Sequence, residues 1–522
     1  MPGSSNESTT GNQLGCGWKH LFGPPGLGGC FFLITMIAFL YGSFVVELHN
    51  LLRDSDIAWL IKTGEWIVQN QQVPFNNIFG LDAAQKAIPF VCYQWLFEVF
   101  YGILYPAFGL HGIAWFAAVM AGLIMTSLSG WLYSRGFRGV PDILGALILS
   151  LFILFLFNSA RPFLVSFWFS ILLLWLFSSR LSFKQLMIWI PLLFLLWANI
   201  HLGFVAGMGI LVTYCLLERK RFSLKQSALL SGTSFLVTFI NPNGLDLYGY
   251  LWTLGNSKFM NSVILELQTP NFHTWPFLLF FFAFGVFSLA MTWRNDRVTL
   301  TERVWFMISF TLTLFSLRHI YLFAIFSAPV MAACIGQLWD RFVNPSGKPM
   351  FQGFSAEKER PVVWVLIVAA FGLWLADIKA FPAAFMKRQV PMGVIQYLKE
   401  HPIQEKILTQ ETVGSYLLFF TPERGFIDTR MDMYGDDYVK KVSWAYGLEK
   451  DWLTFFKENN VRYVLYPKAD IKSVVYLQSL YDWKTLFKDD EFILLHHPNP
   501  QAMQPVAEIP SAAPGPSSEA AR

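Results

Sequence analysis

What most constrains this chain is a succession of apolar runs too long and too many to share one water-soluble core. Gly26 to Leu48 is apolar for about 23 residues, with Glu47 as its charge near the end, which is enough for a helix to cross ~30 Å of hydrocarbon. A secretory signal has an apolar core of about 7–15 residues and a small-residue cleavage site, so this run reads as a retained first helix. Ten further runs follow residue 111, at about 112–133, 141–157, 163–179, 186–200, 203–217, 226–240, 274–292, 304–317, 320–338 and 361–379. The chain is only 14% charged, against roughly 25% for an average soluble domain. The fold class expected is an α-helical polytopic membrane protein.

The links between runs alternate in charge. Arg135/Arg138, Arg180/Lys184, Arg219/Lys220/Arg221/Lys225, Arg294/Arg297/Arg303 and Arg341/Lys348/Lys358/Arg360 put 15 basic residues on one side, while Arg161, Lys258 and Arg318 put 3 on the other. The basic side is cytoplasmic. Val91 to Phe108 holds Gln94, Glu98 and Pro106 and either crosses the membrane or lies flat. Taken as flat, it gives about 11 spans plus interfacial helices, with a cytoplasmic N-terminus. A net charge of +4 is too small to point to nucleic acid. Five cysteines, without CxxC or Cys/His ligand spacing, read as thiols, and no zinc site is expected.

Directly after the first run comes Arg53-Asp54-Ser55-Asp56. Acidic residues often mark helix ends. Here the pair also precedes Ile57 to Val68, an amphipathic stretch with Trp59, Leu60, Ile61, Trp66 and Ile67 that suits a membrane interface. Two carboxylates at the water boundary can keep their charge and still face a lipid-borne substrate. Asp56 is preferred over Asp54 as a base, because it falls in the first turn of the expected helix, where free N–H groups favour the ionised form. Glu98 is the next candidate.

On the flat topology, the polar residues out of place in such a sequence gather on the outer side: Asn158, Arg161 and Pro162; Asn199 and His201; Asn241-Pro242-Asn243-Gly244; Gln268, Pro270, Asn271 and His273; Arg318 and His319. Singly these are turn and cap chemistry. Together they outline a polar pocket beside the acidic loop. Arg161 and Arg318 are the arginines at these outer helix ends and are binding candidates, with His201, His273 and His319 beside them.

Four segments follow from composition: a leader over 1–25, a transmembrane domain over 26–379 with an outer loop at 49–111, a small α/β domain over 380–497, and a tail over 498–522. The leader and tail are expected to be disordered. In the α/β domain, Lys406 to Leu408, Gly425 to Ile427, Val461 to Tyr466, Trp483 to Phe487 and Glu491 to His496 read as strands, and Pro391 to Glu400 and Lys450 to Asn459 as helices. Ile427-Asp428-Thr429-Arg430-Met431-Asp432 leaves a strand into a loop. It makes Arg430 either a binding residue or a local tie.

The order of these features resembles the GT-C superfamily of membrane glycosyltransferases, and more closely a bacterial branch of it. The motifs are Asp54-x-Asp56-x-x-Trp59 with Gly64, Trp95-Leu96-x-Glu98, Arg161-Pro162, Asn199-x-His201-x-Gly203, Asn241-Pro242-Asn243-Gly244, Pro270-Asn271-Phe272-His273, Arg318-His319 and Ile427-Asp428-x-Arg430-x-Asp432-x-Tyr434-Gly435. They span about residues 26 to 497; each is short, and their order carries the likeness. Where other members often have a Pro-Pro pair and a basic residue, this chain has Ala87-Ile88-Pro89-Phe90. The resemblance implies a GT-C-like fold in the bacterial inner membrane with an extracytoplasmic C-terminal domain. It also implies transfer of a sugar from a polyprenyl-phosphate donor to a glycan, lipid or protein acceptor, with an acidic residue of the first loop as the catalytic one. The superfamily contains members that use a divalent cation and members that do not, and the ligand spacing here does not choose between them. A transporter or flippase of lipid-linked glycans, or a silent assembly protein, are the alternatives. A transporter is expected to show mid-membrane charges and repeated halves.

Overall fold

The computed structural model describes residues 54–137, 159–292, 297–343 and 390–505. The leader, the first apolar run, Arg53, the runs at 141–157 and 361–379, and Asn158 lie outside them. The described part is mostly helical, with one small mixed sheet near the C-terminus.

The chain enters through α1 (Asp56–Asn70), whose apolar face (Ile57, Leu60, Ile61, Ile67) is buried and which ends on Gln71 in the left-handed conformation. The next long helix, Trp95–Ser134, is broken at Gly109, where φ 61° and ψ −155° demand a residue without a Cβ. We treat its parts as α2a (95–108) and α2b (110–134). α2a runs against α1, and the two backbones touch. A Cβ on Gly64 would lie 1.8 Å from the Glu98 carbonyl oxygen, and one on Gly102 would lie 2.2 Å from the Gly64 carbonyl carbon.

The bundle continues with α3 (Phe163–Ser178), α4 (Phe183–Ile200), α5 (Phe204–Leu217), α6 (Leu224–Leu236), α7 (Asp246–Asn256), α8 (Trp275–Thr292), α9 (Leu300–Phe315) and α10 (Ile320–Leu338). Ser182, Ser223 and Thr299 start α4, α6 and α9 with reciprocal capping boxes to Gln185, Gln226 and Glu302. All three precede polar helix starts at the ends where the basic links cluster. Among the described residues, three helices are long and apolar enough to cross a membrane, Trp95–Ser134, Phe183–Ile200 and Leu317–Leu338, and shorter apolar helices pack with them. α10 is buried along almost its whole length, whereas α4 and α8 expose Trp189, Leu192, Phe281 and Phe282. Large apolar faces of this kind suit lipid and not water. Cys92, Cys215 and Cys334 are free and buried.

The C-terminal part comprises α11 (Met392–Glu400), β1 (Lys406–Leu408), α12 (Glu411–Phe420), β2 (Arg424–Gly425), α13 (Asp436–Tyr446), α14 (Trp452–Glu458), β3 (Tyr463–Pro467), α15 (Ile471–Tyr481), β4 (Lys484–Lys488) and β5 (Phe492–His496). Its sheet has the order β2-β1-β3-β5-β4, parallel from β2 to β3 and antiparallel through β5 and β4. Both faces are covered. Val464, Tyr466, Ile493 and Leu495 pack beneath α13, α14 and α15, while Ile407, Leu465, Phe492 and Leu494 pack beneath α11 and α12, following the two-residue alternation of a strand. Packing runs past the compositional boundary at 498: Pro500–Ala502 form a turn and Met503 is buried in the core. Leu418 and Phe419 of α12 join the main core of the bundle, and the Phe419 ring meets Tyr105 edge-on at 5.4 Å and Lys62 at 5.4 Å. The small domain is thereby seated on α1 and α2a.

Candidate functional site

The head of α1 carries the acid pair, and the loop before α3 delivers its partner. That loop is held by the Tyr101 hydroxyl, which donates to the Ala160 carbonyl at 2.5 Å. Arg161 donates from Nη2 to Asp54 Oδ1 at 2.7 Å and from Nε to Asp54 Oδ2 at 2.5 Å, a two-pronged ion pair. Its Nη2 also lies 2.9 Å from Asp56 Oδ2. The Ser159 hydroxyl donates to Asp54, whose Oδ1 also accepts the Asp56 N–H at 3.2 Å. The outward edge of Arg161 faces Glu266, with Nη1 3.3 Å from Oε1, and Arg318 Nη2 stands 3.7 Å from Glu266 Oε2.

The two aspartates are electrostatically unlike. Burial works against the charge of Asp54, but Arg161's charge and hydrogen bonds, with Ser159, outweigh it and hold the carboxyl below its usual range. Burial raises Asp56 to about 6; Arg161 and the Thr429 hydroxyl oppose the rise, and the neighbouring Asp54 adds to it. Burial is the larger effect on Asp56 and lifts it above the usual carboxylate range, yet at about 6 it is still mostly ionised at neutral pH. Asp56 is the more basic of the two.

His201 is placed by a local network. The Trp197 indole N–H donates to Ser166 Oγ at 2.7 Å, Ser166 lies 2.7 Å from His201 Nδ1, and the Gly203 N–H donates to the same nitrogen at 3.1 Å. With Nδ1 accepting, the ring proton of a neutral His201 sits on Nε2. Burial, then Arg318 and Arg161, push its pKa down to about 3, so it is neutral at physiological pH. A Cβ on Gly203 would lie 2.2 Å from Ser166 Oγ, so this approach requires glycine. Asn199 accepts the Trp95 indole N–H at 2.7 Å and donates to the Ile240 carbonyl at 2.9 Å. Asn243 then reaches the Cys92 carbonyl at 3.3 Å. Residues of three of the short motifs, at Trp95, at Asn199, His201 and Gly203, and at Asn243, are thus tied into one local frame.

Other candidates land elsewhere. Glu98 is fully buried, accepts from Cys92 Sγ at 2.8 Å and lines a cavity of about 20 Å³ with Trp59, Tyr93, Gln94, Arg430 and Asp432, room for about one water. Arg430 is 1% exposed and donates to both Asp428 oxygens at 2.9 and 2.6 Å and to Asn77 at 3.2 Å, with Phe79 and Phe90 rings 4.9 and 5.5 Å from its guanidinium carbon. That arrangement is a tie between the small domain and the first loop. His319 turns back on the Ser316 carbonyl at 3.3 Å. His273 is exposed at the head of α8, in a turn closed by Asn271, and no described contact brings it into the cluster. Three residues absent from the sequence-based candidates belong here: Ser159, Glu266 and Thr429. Glu266 was findable as one of two acids, with Asp246, in the long outer link; a count of basic residues alone passes over it.

Among the described residues, no three His, Cys, Asp or Glu side chains are grouped to hold a metal ion. Arg161 already supplies the cation between Asp54, Asp56 and Glu266, so the residues as arranged do not fit one.

An apolar helical bundle with a small mixed-sheet domain seated on it resembles the GT-C membrane folds. The chain is structurally similar to the oligosaccharyltransferase AglB of Archaeoglobus fulgidus, solved with an inhibitory peptide and a dolichol-phosphate, at TM-score 0.53 and 11% identity over 85% of this chain and 70% of that one. It is likewise similar to ArnT of Cupriavidus metallidurans, bound to undecaprenyl phosphate, at TM-score 0.50 and 12% identity over 89% of this chain and 97% of that one. No family model matches the sequence, and no curated protein does.

Proposed function

We propose that this chain is a bacterial inner-membrane glycosyltransferase that moves a sugar from a polyprenyl-phosphate-linked donor to an acceptor hydroxyl on the outer side of the membrane. The observation that carries the reading is the division of labour at the head of α1: Asp54 is spent on Arg161, while Asp56 has one partner nitrogen of that arginine and a raised pKa. Two neighbouring folds of this type were solved with a polyprenyl phosphate, which supports the donor class. The small domain is extracytoplasmic in this reading, and the basic links are cytoplasmic.

In the proposed reaction, Asp56 takes the proton of the acceptor hydroxyl as its oxygen attacks the anomeric carbon, and the bond from that carbon to the phosphate oxygen breaks. The leaving phosphate needs charge stabilisation more than protonation. Arg161 cannot offer its full fork, because Nε and Nη2 are held by Asp54. Its Nη1 edge and Arg318 are the groups left for the phosphate, and neutral His201 stands by to donate from Nε2. Charges at helix ends, with no mid-membrane titratable chain evident in the sequence, favour this over transport. Purified protein incubated with lipid-linked sugars should release polyprenyl phosphate in the presence of an acceptor; no turnover from any such donor, with the fold intact, would refute the assignment.

A further inference from the structure

Glu266 is unlike the other two carboxylates of the cluster. Asp54 and Asp56 are anchored at the head of α1 and 12% and 20% exposed, whereas Glu266 is 37% exposed and sits on a single turn, Leu265–Leu267, in the long outer link. That turn is pinned at its backbone: the Ser316 hydroxyl donates to the Glu266 carbonyl at 3.0 Å, and the Leu317 N–H donates to the Gln268 carbonyl at 3.0 Å. Among the described residues, the partners of the side chain are the two arginines, Arg161 at 3.3 Å and Arg318 at 3.7 Å, both loose as ion pairs. The first is marginal as a hydrogen bond and the second is beyond that range.

We propose that the Glu266 carboxylate is a built-in stand-in for the donor's phosphate, occupying the edge of Arg161 and Arg318 until the lipid phosphate displaces it. The inference rests on the functional reading above. Three carboxylates face two guanidiniums in the resting cluster, so a phosphate arriving beside Glu266 would add to an excess of negative charge. If it replaces Glu266, the arginines keep one anion between them. Exchange is favourable because a phosphate accepts charge-assisted hydrogen bonds on several oxygens where the carboxylate makes long contacts. The backbone pins allow the side chain to swing out without unfolding the turn. The stand-in also screens ligands: a neutral polyprenol gains nothing from the arginines and displaces nothing.

The test is equilibrium binding of undecaprenyl phosphate, and of undecaprenol as the uncharged control, to the full-length protein in lipid nanodiscs. Glu266→Gln should bind the phosphate about fivefold more tightly than the parent, the size expected for loss of partly exposed competing pairs, and should bind undecaprenol as the parent does. Adding Arg318→Lys should abolish the gain. Equal or weaker phosphate binding by Glu266→Gln, with Arg318→Lys alone weakening it, would overturn the stand-in and leave the phosphate site standing. Equal changes for both lipids would show a merely structural role and also overturn it. Phosphate and alcohol binding alike to parent, Glu266→Gln and Arg318→Lys would sink the phosphate site and the stand-in together.

Discussion

Arg161 grips Asp54 by two nitrogens, at 2.7 and 2.5 Å, and touches Asp56 by one, at 2.9 Å. One carboxylate is therefore a fixture that positions the arginine, and its neighbour two residues on is left to titrate.

Replacing each aspartate by asparagine should separate these roles. Asp56→Asn keeps shape but loses the proton acceptor, so turnover should fall by about 10²-fold or more with donor binding intact. Asp54→Asn breaks the fork and should lower thermal stability and donor affinity together, by about 1–3 kcal/mol for a partly buried pair left incomplete. Both variants would be compared at matched abundance in one turnover assay. An active Asp56→Asn beside a dead but stably folded Asp54→Asn reverses the assignment.

The pH profile follows from the raised pKa. A base works in its ionised form, so kcat/KM should climb with pH through a limb centred near the Asp56 value of about 6 and level off above it. Asp54, held low by Arg161, stays ionised throughout that limb. For stability the sign is opposite: the folded pKa of Asp56 exceeds its ordinary 3.8, so its burial is best tolerated at low pH and its contribution declines as pH rises through about 6. Initial rates and melting temperatures between pH 4.5 and 8, a span chosen to bracket that value by roughly 1.5 units or more, would show both trends; a flat rate profile excludes Asp56 as the base.

Arg430→Lys should unseat the small domain. A lysine cannot span both Asp428 oxygens and Asn77 or lie flat between the Phe79 and Phe90 rings. A loss of about 3–5 kcal/mol is expected for a broken buried pair. Limited proteolysis should then cut within 390–505 faster than in the parent. Unchanged cleavage would show that the tie is dispensable.

Sidedness is open to direct chemistry. Asn76, Asn261, Lys472 and Lys225 are all exposed, so single cysteines there, in a cysteine-free background, differ in the side they face and not in burial. The first three should react with an impermeant maleimide in intact cells with a permeabilised outer membrane, and the Lys225 position should not. Protection at Asn76 alone would mean that Val91 to Phe108 crosses.

Much of this was legible. The apolar runs within the described residues became helices close to the expected limits, Lys406–Leu408 is a strand as read, and the Asp56–Asn70 helix was visible from its amphipathic spacing. Three helices of the small domain were not. α12 is apolar on two sides because it packs between the sheet and the bundle, which erases helical periodicity. α13 shows Val439, Val442 and Ala445 inside a charged stretch, too thin a stripe to stand out, and α15 offers Val474 and Leu477 in the same way. At the site, the residues of the cluster could be listed but not their pairings. That Arg161's fork is taken by Asp54 depends on a contact between positions 107 apart in the chain, which no local pattern encodes.

The crossing of α1 and α2a at Gly64 and Gly102 sets a ruler for the whole site. With no side chain between them, the separation of the two helices is the thickness of two backbones, a length that thermal rearrangement of rotamers cannot alter. Asp56 sits two turns from that crossing on α1, and Trp95, which braces Asn199, sits two turns from it on α2a. Drift by substitution is therefore unusually constrained here: even one methyl group would pry the helices apart and carry the acid pair away from Arg161.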